Sequence, residues 1–497
     1  MSAYDAFLGA FALVAQLDNV LALALGVVVG VIVGAVPGMS ATMAVALALP
    51  FTFTLDPIVG ILMLIGVYKG GIYGGSIPAI LIKTPGTPAS SCTVLDGHPM
   101  AERGEAGKAL EMSLYASCIA DMISNLSLIL FAAWLAAFAL SFGPPEYFTL
   151  ILFSLTIIAG VAGDTLLKGL ISAGFGLLLA TVGLDLVYGT DRFIFGEADL
   201  MSGLNFIPVL IGLFAIPEVL LQCTRGDDEI GRVARLGRSH VTLAEMRRCL
   251  RSIFKSSLIG VLMGAIPGIG GAPAAFMAYG EARRSSPNAA NFGRGELEGV
   301  AASEAGNNGV CGATMIPLLA LGIPGDVITA VILGAFMVHG LQPGPLLFQQ
   351  NIVVVYAIFI GIMLSSVFLF ATGMIAIRAF RRVADIPKSI LLPAVLTLCV
   401  FGAYAVNNTM FDVAVMFATG LFGYFMVRVG MPAAPFLIAF ILGPMLEDNF
   451  RQGMLMGQSD FSIFFRSPIT WFFWALTAAT VALLVWQGRK GRIVPAG

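Results

Sequence analysis

Long uncharged runs, separated by short polar clusters, set the rhythm of this chain. Between Asp18 and Asp56 lie 37 residues without a charge, and between Lys255 and Glu281 another 25. From Val327 to Ile377, 51 consecutive positions lack Asp, Glu, Lys and Arg. A helix that crosses a membrane needs about 20 mostly apolar residues, so this last run has room for two crossings. Further runs lie at Met122–Pro145, Tyr147–Gly163, Gly169–Leu184, Met201–Pro217, Ser389–Phe411, Val413–Val427, Val429–Leu446 and Ser467–Gly488. Together they predict roughly 11–14 membrane segments, several too short or too glycine-rich to be plain spans. Lipid offers no water to backbone polar groups, which favours helices, and the alternating strands of a β-barrel do not occur. The expected fold class is an all-α polytopic membrane protein.

Composition agrees. Of 497 residues 58% are hydrophobic and only 11% charged, less than half the ~25% of a soluble domain. Mean hydropathy is +0.92. These values exclude a soluble enzyme, a disordered chain and a basic nucleic-acid binder, and place the chain in a lipid bilayer. The 6 cysteines form no CxxC pair and the 3 histidines have no metal spacing, so neither a metal site nor a disulfide framework is expected. The N-terminal MSAYDAFLGAF has no basic n-region, which argues against a cleaved signal peptide.

Basic residues are concentrated. Eight of the 27 fall between Arg225 and Lys255, with smaller groups at Arg378/Arg381/Arg382/Lys388 and Arg489/Lys490/Arg492. The positive-inside rule puts all three groups, and with them the C-terminus, in the cytoplasm. The expected organisation is a membrane repeat over 1–224, a basic cytoplasmic linker over 225–255, and a second membrane repeat with additional C-terminal helices over 256–497.

Two motifs recur in order. Gly30-Val-Ile-Val-Gly34-Ala-Val-Pro37-Gly38 returns as Gly260-Val-Leu-Met-Gly264-Ala-Ile-Pro267-Gly268, an offset of 230, and Pro78…Pro85-Gly86 returns as Pro317…Pro324-Gly325, an offset of 239. One GxxxG signals only helix packing; two ordered motifs at nearly equal offsets signal an internal repeat. If the N-terminus is periplasmic, the repeats are inverted. Proline removes a backbone donor and glycine tolerates non-helical angles, so each Pro-Gly pair is expected to break a helix inside the membrane. Such backbone survives there only when buried in protein or lining a wet cavity. Lys255 lies 12 residues before Pro267, about 18 Å of helix, so 256–280 reads as a re-entrant hairpin or, alternatively, as a full span.

The breaks also carry the candidate chemistry. Half-helix N-termini suit carboxylates and freed carbonyls suit Na+. Pro37, Gly38, Ser40, Pro85, Gly86, Pro267, Gly268 and Pro324 are the candidate helix-break and ion-binding positions. Ser76, Thr87, Asn307, Asn308, Gly325 and Lys83 are the candidate substrate contacts. Lys83 has two readings, a counter-ion for an anionic substrate or a snorkelling surface chain. Asp121 and Asn125, one helical turn apart, read equally as an interhelical bond or as an ion or proton site.

Taken together, Gly30–Gly38, Lys69-Gly-Gly-Ile-Tyr73-Gly74-Gly75-Ser76-Ile-Pro78, Pro85-Gly86, Thr93-Val-Leu-Asp96-Gly97, Glu304–Asn308, Leu321-Gly-Ile-Pro324-Gly325, His339-Gly-Leu-Gln-Pro343-Gly344-Pro345 and Gly402-Ala-Tyr404-Ala-Val-Asn407-Asn408 resemble the large permease subunit of tripartite tricarboxylate transporters. The resemblance spans about residues 8–470. It implies a multi-pass protein of the bacterial inner membrane, with no cofactor, which takes up organic carboxylates with Na+ or H+. It also implies two partners: a small membrane subunit of about four helices and a periplasmic substrate-binding protein. The chain departs from the resemblance at Lys83, where a neutral residue such as Asn is expected. Three other readings stay open. An ATP-powered permease would need a separate ATPase, since no GxxxxGK[ST] loop is present; a membrane-embedded enzyme lacks HExxH and GxSxG; a passive anion channel would need no paired breaks.

Overall fold

The computed structural model describes residues 3–161, 166–185, 189–224, 239–384 and 388–489. Arg225, Arg232, Arg235, Arg238, Lys490 and Arg492, on which part of the cytoplasmic assignment rests, lie outside the described residues. Helix dominates; strand among the described residues is limited to β1 (Gly183–Leu184) and β2 (Asp191–Arg192). Among the described residues ten helices are long and apolar enough to cross a membrane, one fewer than the low end of the expected count, and four shorter apolar helices accompany them; the expected fold class is matched.

In the first half, α1 (Ala3–Val14) leads into α2 (Leu17–Ala35), which ends before Pro37-Gly38, and α3 (Ala41–Ala48) turns back. Then α4 (Pro57–Gly74) continues almost unbroken as α5 (Ser76–Ile82). After the break at Pro85-Gly86 come α6 (Ser90–Glu102), α7 (Ala106–Ala139), α8 (Pro144–Val161), α9 (Leu166–Ala180) and α10 (Phe206–Thr224). The second half repeats the order: α11 (Leu243–Gly264), a break, α12 (Gly271–Ser285), α13 (Leu297–Ala313), α14 (Met315–Leu321), a break, α15 (Val327–Val338), α16 (Pro345–Gln350) and α17 (Ile352–Ala384). It closes with α18 (Lys388–Asn407), α19 (Met410–Arg428), α20 (Ala433–Met456) and α21 (Pro468–Arg489).

The linker expected over 225–255 is shorter than its charge implies, because α11 already begins at Leu243. Thr242 and Glu245 form a reciprocal capping box at its start. Three charges of the segment's described part are paired rather than merely solvated. Glu245 meets Lys108 of α7 at 2.8 Å, Arg248 meets Glu296 at 2.8 Å, and Lys255 meets Glu281 at 3.7 Å. The Lys108 ammonium holds the Glu245 carboxyl down to about 2. The Lys255–Glu281 pair joins the foot of the apolar part of α11 to α12, so 256–280 doubles back as the expected hairpin.

Glycine sets the packing within each repeat. Gly26, Gly30 and Gly34 of α2 face Met63, Val67 and Gly71 of α4, and Gly66, Gly70 and Gly74 return the contact to Leu23, Val27 and Val31. A Cβ on Gly30 or Gly70 would stand 2.3 Å from a carbonyl oxygen of the other helix, so the two backbones touch. Register rises together along α2 and α4, which makes them parallel. Gly260 and Gly264 of α11 meet Gly306 and Val310 of α13 in the same way.

Between repeats the directions oppose. Tyr68 of α4 bonds Thr314 just beyond α13 at 3.1 Å, whereas Ser76, further along, lies beside Glu304, further back. Likewise Asn125 of α7 bonds the Ile362 carbonyl of α17 at 3.0 Å, while the earlier Leu114 faces the later Gly373. Equivalent helices therefore run antiparallel, and the repeats are inverted. Each repeat packs its longest helix against the other: α7 lies along α13, and α17 lies along α2 and α4. At the end carrying the basic residues, Asp96 of α6 accepts the backbone N–H groups of Gly293, Gly295 and Glu296 and the Tyr279 hydroxyl, all within 2.9 Å. This fixes the loop before α13 to α6.

Candidate functional site

Pro-Gly pairs break the helices as their chemistry requires. Gly38 and Gly268 both take left-handed φ, +83° and +88°, angles that only glycine adopts without strain. The Gly268 N–H donates to the Gly325 carbonyl at 2.7 Å, which ties the two breaks of the second repeat together. In the first repeat the Gly86 N–H reaches the Gly75 carbonyl at 3.1 Å, and Gly86 packs on the Gly34 backbone. New helices start with matched caps. The Thr87 hydroxyl accepts the Ser90 N–H at 3.2 Å, and the Asp326 carboxylate accepts the Thr329 N–H at 2.7 Å. Ser40 spends its hydroxyl on the Met43 N–H, capping α3.

The breaks of one repeat face the helices of the other. α12 and α6 approach each other where Cys92 bonds the Ala275 carbonyl at 3.5 Å, and α3 packs on α15. Asn307 of α13 stands at the first of these meetings. Its Oδ1 is 2.6 Å from where a Cβ on Gly271 would lie, and that Cβ would be 3.5 Å from Ala89. Asn307 is 1% exposed, yet neither amide atom has a hydrogen-bond partner among the described residues. Buried polar groups are nearly always paired, which makes this amide a candidate contact.

One turn away on α13, Glu304 is fully buried. Thr93 of α6 donates to one carboxylate oxygen, and Ser117 of α7 donates to the other at 3.1 Å. Asn308 donates to Ser117 at 2.8 Å and reaches Glu304 at 3.4 Å. The hydroxyls of Ser76 and Ser113 lie beside the same carboxylate, both completely buried and without a partner in good hydrogen-bond geometry among the described residues.

Of the residues expected from the sequence, Ser76, Thr87, Asn307 and Asn308 are buried in this region, with Gly86 and Gly325 shaping it. Pro37, Gly38, Pro85, Pro267, Gly268 and Pro324 lie at the breaks themselves. Asn308 is already occupied by Ser117 and Glu304, unlike its neighbour Asn307. Lys83 is not in the buried set. It is exposed, with left-handed φ of 59° at the C-cap of α5, the position that Gly322 (φ 72°) fills after α14. Sequence reasoning did not select Glu304, Thr93, Ser113 or Ser117. A single carboxylate within an otherwise uncharged, small-residue segment was the signal that pointed to the first of these.

A second buried network lies beside the first. Lys69 of α4, 1% exposed, donates to Asp121 at 2.5 Å and to Asn125 at 2.6 Å, both on α7. Ser366 of α17 donates to the other Asp121 oxygen at 2.5 Å. Asp121 and Asn125 thus serve an interhelical ion pair. Here the charges are balanced, whereas the partners of Glu304 among the described residues are hydroxyls and one amide.

Comparison with known proteins gives a consistent picture. Residues 20–438 match the family described as "Tripartite tricarboxylate transporter TctA family". The chain is 35% identical over 426 residues, covering 86% of its length and 85% of the relative, to the "Uncharacterized 52.8 kDa protein in TAR-I ttuC' 3'region" of Agrobacterium vitis. It is 36% identical over 210 residues, 42% of its length and 87% of the relative, to the "Uncharacterized protein in TAR-II ttuC' 3'region" of the same organism. No solved structure matches. The family match covers both inverted repeats and all four Pro-Gly breaks, so this multi-pass membrane protein belongs to the tripartite tricarboxylate transporter TctA family.

Proposed function

We propose that the chain is the large permease subunit of a binding-protein-dependent secondary transporter, importing organic carboxylates of the di- or tricarboxylate class together with Na+ or H+. The observation that carries this reading is the unpartnered, buried Asn307 amide where α6, α12 and α13 meet. An amide N–H at a meeting of half-helix N-termini suits a carboxylate, and inverted repeats with broken helices suit alternating access. The protein transports rather than catalyses, and needs no cofactor beyond the coupling ion. Its partners are a small membrane subunit of about four helices and a periplasmic binding protein that selects the substrate. Arg247, Arg248 and Arg251 on α11 support a cytoplasmic position for that end of the molecule in the inner membrane, and the same charge rule favours a cytoplasmic C-terminus.

Proteoliposomes holding the chain with its small membrane partner, and the binding protein added outside, test the reading with a panel of labelled carboxylates. Accumulation that needs both the binding protein and an inward cation gradient is expected. Downhill flux that ignores both, or uptake that persists with ionophores and stops on ATP depletion, would overturn it.

A further inference from the structure

Glu304 is a fully buried carboxylate with no cationic side chain bonded to it among the described residues. Several other buried carboxylates among the described residues have their charge answered, although Glu298 and Asp412, like Glu304, are met by hydroxyls or an amide. Asp121 has Lys69, Asp185 has Arg451, and Asp96 has three backbone N–H groups. A buried charge without such compensation is strongly unfavourable.

Around Glu304 four hydroxyl oxygens converge from three helices: Ser76 from α5, Thr93 from α6, and Ser113 and Ser117 from α7. All four are at most 1% exposed, and the Ser76 and Ser113 oxygens, though beside Glu304, meet no partner among the described residues in good hydrogen-bond geometry. We propose that Glu304 and the hydroxyls of Ser76, Thr93, Ser113 and Ser117 form a binding site for one dehydrated Na+ ion.

The donor set selects the ion. Every donor is a hard oxygen, which excludes metals that prefer nitrogen or sulfur. A single negative charge balances a monovalent ion, whereas Ca2+ sites draw on several carboxylates and Mg2+ keeps much of its water. A proton on Glu304 would neutralise it but use the lone pair of one hydroxyl, leaving the convergence of four hydroxyl oxygens unused. A central cation takes a lone pair from each. An anion is excluded by the carboxylate itself.

Location gives the site a consequence. Glu304 and Asn307 are three residues apart on α13, one turn on the same face. Thr93 belongs to α6, whose start flanks Asn307 through Ala89. Thr93 already bonds Glu304, and an ion shared by both would reinforce this tie of α6 to α13 beside the proposed carboxylate contact. That last step rests on the permease reading; Na+ binding itself does not.

The purified full chain in detergent tests the site by thermal unfolding in NaCl against choline chloride at equal ionic strength, and by binding of radioactive 22Na+. Wild type is expected to bind saturably, with a midpoint that rises in NaCl and not in choline chloride. Glu304→Gln should abolish both effects. Ser76→Ala combined with Ser113→Ala, which keeps the charge, should weaken Na+ affinity at least tenfold and so decides the matter should Glu304→Gln not fold. Equal midpoints in the two salts for wild type, or wild-type 22Na+ affinity in either variant, would overturn the proposal. The two readings separate cleanly. Carboxylate accumulation on a pH gradient with no 22Na+ binding sinks the ion site and spares the permease; 22Na+ binding lost in Glu304→Gln, without carboxylate uptake, does the reverse.

Discussion

Asn307 and Asn308 are adjacent in sequence and opposite in circumstance. Asn308 holds Ser117 and Glu304, whereas the amide of Asn307 is buried and unpartnered. Removing a satisfied group leaves partners stranded, while removing an unsatisfied one relieves a desolvation cost. Asn308→Ala is expected to lower stability by about 2 kcal/mol, and Asn307→Ala to leave it unchanged or raise it by up to about 1 kcal/mol. Both should lose carboxylate uptake, so unfolding midpoints and uptake measured on the same preparations will part company only for Asn307. A loss of stability in Asn307→Ala equal to that of Asn308→Ala would refute the distinction. Lys83 offers the converse case. A left-handed lysine is strained by about 1–2 kcal/mol, and the other repeat has Gly322 in its place. Lys83→Gly should therefore raise stability by about 1 kcal/mol and keep full uptake, an outcome incompatible with a substrate counter-ion. Sequence alone exposed the oddity of this lysine but not its cause, because a φ angle leaves no mark on composition.

At the scale of elements, glycine spacing was the most legible signal and charge the least. The GxxxG and Pro-Gly pattern located the hairpins and breaks because close packing and helix breaking depend on side chains that are absent or cyclic, features visible in sequence. The start of α11 was hidden for the opposite reason. Arg247, Arg248, Arg251 and Lys255 read as a solvated linker, and only the acidic residues that meet two of them across the fold, Glu296 at Arg248 and Glu281 at Lys255, reveal a packed helix. Glycine packing can be tested element against element. Gly70→Val would force a side chain into the Val27 carbonyl of α2 and is expected to cost about 3 kcal/mol or more, read as loss of monodisperse protein after extraction. A Cβ on Gly174 of α9 would meet nothing within 4 Å beyond its own helix, so Gly174→Ala should be neutral or gain up to about 1 kcal/mol. Equal tolerance at both positions would mean that the α2–α4 backbone contact does not hold the first repeat together.

Inversion makes the two repeats near copies, and the whole molecule departs from that symmetry where charge is buried. Offset by 239, Lys69 of α4 corresponds to Asn308 of α13, and Ile65 to Glu304. One repeat thus buries a cation with its own counter-charge, and the other an anion without one. Lys69, Asp121 and Ser366 join α4 and α7 of the first repeat to α17 of the second, so this network should hold the repeats in register without itself being a transport site. Breaking a buried ion pair strands the surviving charge and costs about 3–5 kcal/mol, whereas replacing both partners with apolar residues of similar volume is often neutral. Lys69→Met is therefore expected to collapse expression or lower the unfolding midpoint sharply, and Lys69→Met with Asp121→Leu to recover most of it. If the pair only fixes architecture, the double variant should also regain carboxylate uptake. Restored folding with uptake still absent would move Lys69 and Asp121 from scaffold to transport pathway.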